Sequence, residues 1–196
     1  MTTAFRPVSA SGGVGWRTRD IVVTAIIGVV FGVVFQVWNT IWAATTGVFT
    51  ALPAAQNLLY GVWFMPAILA PLIVRRPGAA LFAEVVAAGL SLFIGSPYGA
   101  DTLLSGVVQG GGAELVFLVT RYRLWSFPVL ALAGAASAVL AWAHDWIIWA
   151  PTTGLDLQIW FLVFAVISAI VIAAGGSVLI VRALRQSGVL QGFPAG

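Results

Sequence analysis

Six apolar runs, near residues 20–45, 56–74, 79–95, 102–121, 126–146 and 157–182, make up most of this chain, and the charges are largely swept into the gaps between them. Each run is close to the ~20 residues a helix needs to cross ~30 Å of hydrocarbon. Charged residues are 8% of the total and hydrophobic ones 61%. A soluble domain carries about a quarter charged residues, so this chain cannot cover itself with a polar surface. In lipid every backbone N–H and C=O must be paired within the protein, and the length of these runs suits helices. The expectation is an all-α integral membrane protein with six transmembrane helices. Residues 19–185 form one membrane domain, flanked by a flexible tail at 1–18 and a C-terminal tail at 186–196. The first 18 residues lack the short apolar core and small-residue cleavage site of a signal peptide.

The charges also sort by sign. All nine basic residues are arginines, and lysine and cysteine are absent. Arg6, Arg17 and Arg19 precede the first run, Arg75 and Arg76 follow the second, Arg121 and Arg123 the fourth, and Arg182 and Arg185 the sixth. With six crossings these gaps share one face of the membrane. The opposite gaps hold Asp101, Asp145 and Asp156. The positive-inside rule then places both termini in the cytoplasm, N-in/C-in. The net charge of +3 is thus a topology signal and not a nucleic-acid patch. Without lysine there is no phosphate-binding G-x-x-x-x-G-K-[ST] loop. No H-E-x-x-H or G-x-S-x-G occurs, and a single histidine gives no metal-ligand cluster. No cofactor is expected, and uphill transport would draw on a partner or an ion gradient.

The polar residues inside the runs carry the functional signal. Glu84 lies eight residues past Arg76, roughly 12 Å along a helix, and Glu114 seven before Arg121, roughly 10 Å. A short turn joins their helices, so the two carboxylates are expected at similar depth on antiparallel neighbours. A charge there costs about 2.5–3.5 kcal/mol on insertion scales. No basic residue is placed to neutralise either one. A protonated glutamate bonded to a backbone carbonyl is one outcome; a cationic ligand completing the site is the other. Gln109 can glue helices or meet a ligand. Gly110, Gly111 and Gly112 can admit a neighbouring helix, or a flat ligand and local unwinding. Trp38, Trp42, Trp63, Trp142, Trp146, Trp149 and Trp160 map to the outer half, against Trp16 and Trp125 at the cytoplasmic end. An aromatic belt alone populates both interfaces, so part of the outer set is expected to line a cavity. On the first run Ala25, Gly28, Gly32, Gln36 and Asn39 share one face at 100° per residue. Pro66 removes a helical donor and is expected to kink the second helix beside Trp63.

Two stretches, RRPGAALFAEVVAAGLSLFIGSPYG (residues 75–99) and LLSGVVQGGGAELVFLVTRYR (residues 103–123), resemble the YkoE family. These are substrate-binding S components of energy-coupling-factor (ECF) vitamin transporters. The resemblance implies a bacterial cytoplasmic-membrane protein with a vitamin site near the outer face, of the thiamine or hydroxymethylpyrimidine class. It also implies partners: a transmembrane coupling (T) subunit and two cytoplasmic ATPases. Such components dock through a small-residue stripe on the first helix, here Ala25, Gly28 and Gly32.

The leading expectation is therefore a thiamine-class S component and not an enzyme. Glu84 or Glu114 meets the aminopyrimidine edge, Gln109, Asn39 and Gln36 add neutral hydrogen bonds, and Trp38, Trp42, Tyr60, Trp63 and Trp142 supply ring faces. His144 stands at the outer edge of the same site. One alternative is a proton-coupled secondary carrier or channel using the two glutamates as relays. Another is a membrane enzyme using His144 and Asp145.

Overall fold

The apolar runs fold into helices that end at the charged and turn residues. The computed structural model describes residues 15–196, so Arg6 and residues 1–14 of the expected N-terminal tail lie outside the described residues. The order is α1 (Thr18–Thr45), a 3-10 helix (Pro53–Val62), α2 (Met65–Val74), α3 (Ala79–Phe93), α4 (Asp101–Val119), α5 (Phe127–Ile148) and α6 (Leu155–Ser168). A π-helical stretch (Ala169–Gly175) then leads into α7 (Gly176–Gln186). No strand occurs among the described residues. Among the described residues five segments are long and apolar enough to cross a membrane, and α3 is a shorter apolar helix of 15 residues.

The expected kink at Pro66 is a break. Proline cannot donate a backbone hydrogen bond, which does no harm in the first turn of a helix. The chain accordingly finishes the 3-10 helix at Val62 and starts α2 at Met65, with Pro66 in its first turn. This broken segment is the centre of the bundle. In its most apolar window 72% of residues are buried, against 28–33% in the other long segments. Those sheathe it and turn Ile26, Val30, Val33 and Val37 of α1 outward.

Glycines set the closest helix contacts. A Cβ on Gly28 would lie 2.7 Å from Val86, and one on Gly32 2.7 Å from Leu90, both on α3. The first-helix stripe expected to dock a partner is therefore covered at Gly28 and Gly32 by the chain's own α3, with Ala25 half-buried beside it. On α4, Gly106 and Gly110 press against Ala88 and Glu84 of α3, while Gly112 presses against Ala136 and Ser137 of α5. Gly111 faces open space. α4 stays helical through all three glycines, so they serve packing, without unwinding.

Polar contacts gather at the arginine-bearing end. Asp20, fully buried in the first turn of α1, accepts a hydrogen bond from the Arg17 N–H at 3.1 Å and pairs with Arg76 at 2.7 Å. Trp16 donates to the Pro77 carbonyl, and the Arg75 guanidinium lies 5.6 Å from the Trp125 ring centre. The expected C-terminal tail folds back in turns here: Leu190 and Ala195 are buried, and Arg19 sits 4.9 Å over the Phe193 ring.

Candidate ligand-binding site

At the other end of the bundle, α1, the 3-10 helix, α3, α4 and α5 enclose a cavity of about 250 Å³. One wall is aromatic. Trp42 meets Tyr60 edge-on at 5.8 Å and Trp63 at 5.1 Å, and Tyr60 meets Trp63 at 5.0 Å and stacks on Phe64 at 5.1 Å. The facing wall is the polar stripe of α3, where Glu84, Ala88 and Ser91 follow one another at helical spacing and line the cavity. Gly106 and Gly110 let α4 come close enough to bring Gln109 to the same space, and Asn39 enters from α1.

Glu84 is the central group. Its Oε2 accepts the Ala67 N–H at 3.0 Å. That N–H is free because it belongs to the first turn of α2, where no carbonyl precedes it within the helix. The helix break at Pro66 thus supplies a positive backbone end, and Glu84 caps it from another helix. Its Oε1 is buried without any partner. Ser91 Oγ, on the same stripe, is also buried and unpartnered. Buried polar atoms are nearly always paired, so two bare oxygens in one cavity mark a place for a hydrogen-bonding ligand or ordered water.

The cavity rim is acidic. Asp101 at the start of α4 and Asp145 near the end of α5 both line it. His144 bridges them, with Nδ1 2.9 Å from Asp145 and Nε2 3.1 Å from Asp101. Tyr60 donates to Asp145 at 2.6 Å and Trp149 to Asp101 at 2.9 Å, closing a ring of polar contacts between the 3-10 helix, α4 and α5. Burial, and then the Asp145 charge, push the phenol of the rim loop residue Tyr98 above the ordinary tyrosine range. Among the described residues no arginine lines the cavity, so its electrostatic character is set by carboxylates and ring faces.

Of the residues expected from sequence to bind a ligand, Glu84, Gln109, Asn39, Trp42, Tyr60 and Trp63 line this cavity. Glu114 does not. Its Oε1 accepts the Gly78 N–H at 2.6 Å and the Tyr122 hydroxyl at 2.6 Å, and its Oε2 accepts the Ala80 N–H at 3.0 Å. It therefore caps α3 at the arginine end, about one turn away from Glu84, and both oxygens are occupied. Gln36 donates its side-chain N–H to the Gly95 carbonyl and does not line the cavity, although its Oε1 is buried without a partner, and Trp38 spends its indole N–H on the Leu59 carbonyl. Trp142 lines a neighbouring cavity, and His144 stands behind the two aspartates it joins. The geometry adds Ser91, Asp101 and Asp145. The aspartates had a sequence signal, as acids in the gaps opposite the arginines; Ser91 had none beyond its spacing of seven from Glu84.

A family model described as the permease component of an ABC-type cobalt transport system matches residues 19–140. The putative HMP/thiamine permease protein YkoE of Bacillus subtilis (strain 168) is 36% identical over 183 residues, 92% of this chain and 90% of that protein. The chain belongs to the YkoE family. A solved structure titled as an S-component of an ECF transporter matches with a TM-score of 0.87 at 34% identity, over 92% of this chain and 91% of that one. The YkoE-family chain is thus an S component of multi-pass membrane character, and its homologues are transport proteins.

Proposed function

We infer that this YkoE-family S component captures thiamine or its hydroxymethylpyrimidine precursor outside a bacterial cell and presents it for ATP-driven import. In this reading α3 is the sixth crossing, both termini are cytoplasmic, and the cavity lies toward the outer face of the plasma membrane. The coupling subunit and the two ATPases are separate chains, and ATP is hydrolysed there. The observation that carries the reading is Glu84 Oε1, buried and unpartnered in an aromatic-walled cavity. An aminopyrimidine offers that oxygen an N–H donor in a charge-assisted hydrogen bond. Ring faces of Trp42, Tyr60 and Trp63 and the carboxylates of Asp101 and Asp145 suit a flat cation. The name of the B. subtilis relative points to the same ligands.

The matched family description names cobalt. Among the described residues no group of three or more His, Cys, Asp or Glu side chains is arranged to hold a metal ion. The aromatic wall favours an organic cargo.

Purified protein is expected to show tryptophan quenching by thiamine or hydroxymethylpyrimidine, with Glu84→Gln weakening it at least tenfold. Unaltered binding by Glu84→Gln would end the carboxylate assignment. Uptake by the chain alone in liposomes under a pH gradient would favour a secondary carrier.

A further inference from the structure

Charge is poorly balanced at the arginine-bearing end of the bundle. Asp20 pairs there with Arg76 at 2.7 Å and with Arg19 at 3.7 Å. Glu114 is spent on two backbone N–H groups and the Tyr122 hydroxyl. Among the described residues Arg75 and Arg185 form no ion pair with a carboxylate. Arg75 ends α2 in the left-handed region, at φ 51°, where a residue other than glycine is uncommon. Its guanidinium lies 5.6 Å from the Trp125 ring centre, and its Nε is buried with no hydrogen-bond partner. Buried polar atoms are nearly always paired, so this nitrogen lacks an acceptor. Burial, and then the neighbouring Arg185 charge, lower the Arg75 pKa, so like charges converge here from the ends of α2 and α7. Arg185 Nε donates to the Ala195 carbonyl, a neutral acceptor that leaves its charge uncompensated.

We propose that Arg75 and Arg185, beside the Trp125 ring, form a site for a phosphate group, filled in the membrane by the headgroup of an anionic phospholipid. A guanidinium meets phosphate oxygens in parallel N–H···O bonds. One phosphate shared by the two arginines gives the orphan Nε its acceptor and offsets the repulsion between them. The platform is fixed: Trp125 stacks on Phe117 at 5.1 Å and donates its indole N–H to the Tyr122 carbonyl at 3.1 Å. Leu124 and Phe127, on either side of Trp125 in the chain, are 54% and 48% exposed. They give acyl chains an apolar surface next to the charges, which favours a lipid over free phosphate. Basic pockets between membrane helices hold anionic headgroups in this way. The site lies at the opposite end of the bundle from the Glu84 cavity and does not depend on which cargo that cavity takes.

The test titrates purified full-length protein in detergent with phosphatidylglycerol and, separately, with phosphatidylcholine, and counts bound lipid by native mass spectrometry. Wild type is expected to prefer the anionic lipid by about tenfold or more, and Arg75→Gln and Arg185→Gln each to lose about fivefold of that preference. Arg17→Gln removes the same charge from an exposed position at the same end and is expected to lose less than about twofold. Without lipid, Arg75→Gln should melt no lower than wild type, because it removes a repelled charge, and Arg185 is exposed; both variants therefore report on the site and not on folding. Inorganic phosphate that raises the melting temperature of wild type but not of Arg75→Gln supports the phosphate site and makes a free anion its occupant. Equal loss in all three variants overturns the site in favour of a general charge effect. So does the absence of any Arg75-dependent response to either the anionic lipid or phosphate.

Discussion

Glu84 and Glu114 are the same residue on adjacent antiparallel helices, and each caps the N-terminus of a neighbouring helix. Glu114 closes its environment. Two backbone N–H groups and the Tyr122 hydroxyl occupy both its oxygens, tying the 75–78 turn to the end of α4. Glu84 takes one N–H, from Ala67, and leaves Oε1 bare in a cavity. The contrast teaches that a carboxylate in a membrane helix is not by itself a binding group. What matters is how many of its lone pairs the protein has already used, because a satisfied carboxylate gains little from a ligand and an unsatisfied one gains a great deal.

Substitutions at the two positions should therefore fail in different ways. The largest effect is expected from Glu114→Ala, which leaves three donors unpaired. It should destabilise the folded protein by about 1–3 kcal/mol, the range for donors left without partners, since Ala80 is buried and Gly78 and Tyr122 are half-buried. Thermal unfolding in detergent measures this, and ligand affinity of the protein that remains folded should stay within about twofold. Glu84→Gln is the mirror case: at least tenfold weaker ligand binding, about 1.4 kcal/mol, with a melting temperature close to wild type because an amide oxygen still accepts the Ala67 N–H. If the two variants exchanged phenotypes, the assignment of roles would be reversed.

Next in size is the glycine pair. A Cβ on Gly110 would lie 2.8 Å from the Glu84 Cβ, whereas one on Gly111 meets nothing within 4 Å. Gly110→Ala is expected to push α3 from α4 and weaken ligand binding several-fold, with overpacking costing about 1–3 kcal/mol. Gly111→Ala should bind as wild type and be no less stable, since alanine favours a helix by about 1 kcal/mol. Equal behaviour of the two would show that helix propensity, and not the seat of Glu84, governs this stretch.

The smallest effect concerns the alkaline limb at the Glu114 end. Burial, and then the Glu114 hydrogen bond and charge, raise the Tyr122 phenol above its ordinary range. The folded state then holds that proton more tightly than the unfolded chain does. The associated stability is complete below about pH 10, the unfolded value, and is lost as pH rises from there through the folded value. Tyr122→Phe should flatten the loss of thermal stability above about pH 10 relative to wild type.

Much of this architecture was legible in residue order. The helix boundaries follow from where arginines, aspartates, prolines and Gly-Pro turns interrupt apolar runs, and α3 to α5 agree with their expected limits to within about two residues. The aromatic and amide side of the cavity was legible as well: Trp42, Tyr60, Trp63, Asn39 and Gln109 share an end of the bundle in any alternating arrangement. Gly28 and Gly32 were harder. A small-residue face admits any helix, and a period of four says nothing about whether that helix belongs to the same chain. His144 is next in the chain to the cavity-lining Asp145, yet its ring stands behind it, because adjacent positions on a helix differ by about 100°, and Trp142 lines the neighbouring cavity.

By itself, the sequence determined that the chain is helical, that it belongs in lipid, and that two acids with no basic partner lie within its apolar runs. Those properties follow from composition and local spacing, since hydrocarbon forces internal backbone pairing and makes every charge costly. Only the tertiary structure decided which acid is bare. The Ala67 N–H reaches Glu84 because Pro66 breaks the second segment, and the Gly78 and Ala80 N–H groups reach Glu114 because a turn presents them to the next helix. Hydrogen-bond capacity is spent between segments distant in the chain, and which donors meet which oxygen is fixed only when the helices pack.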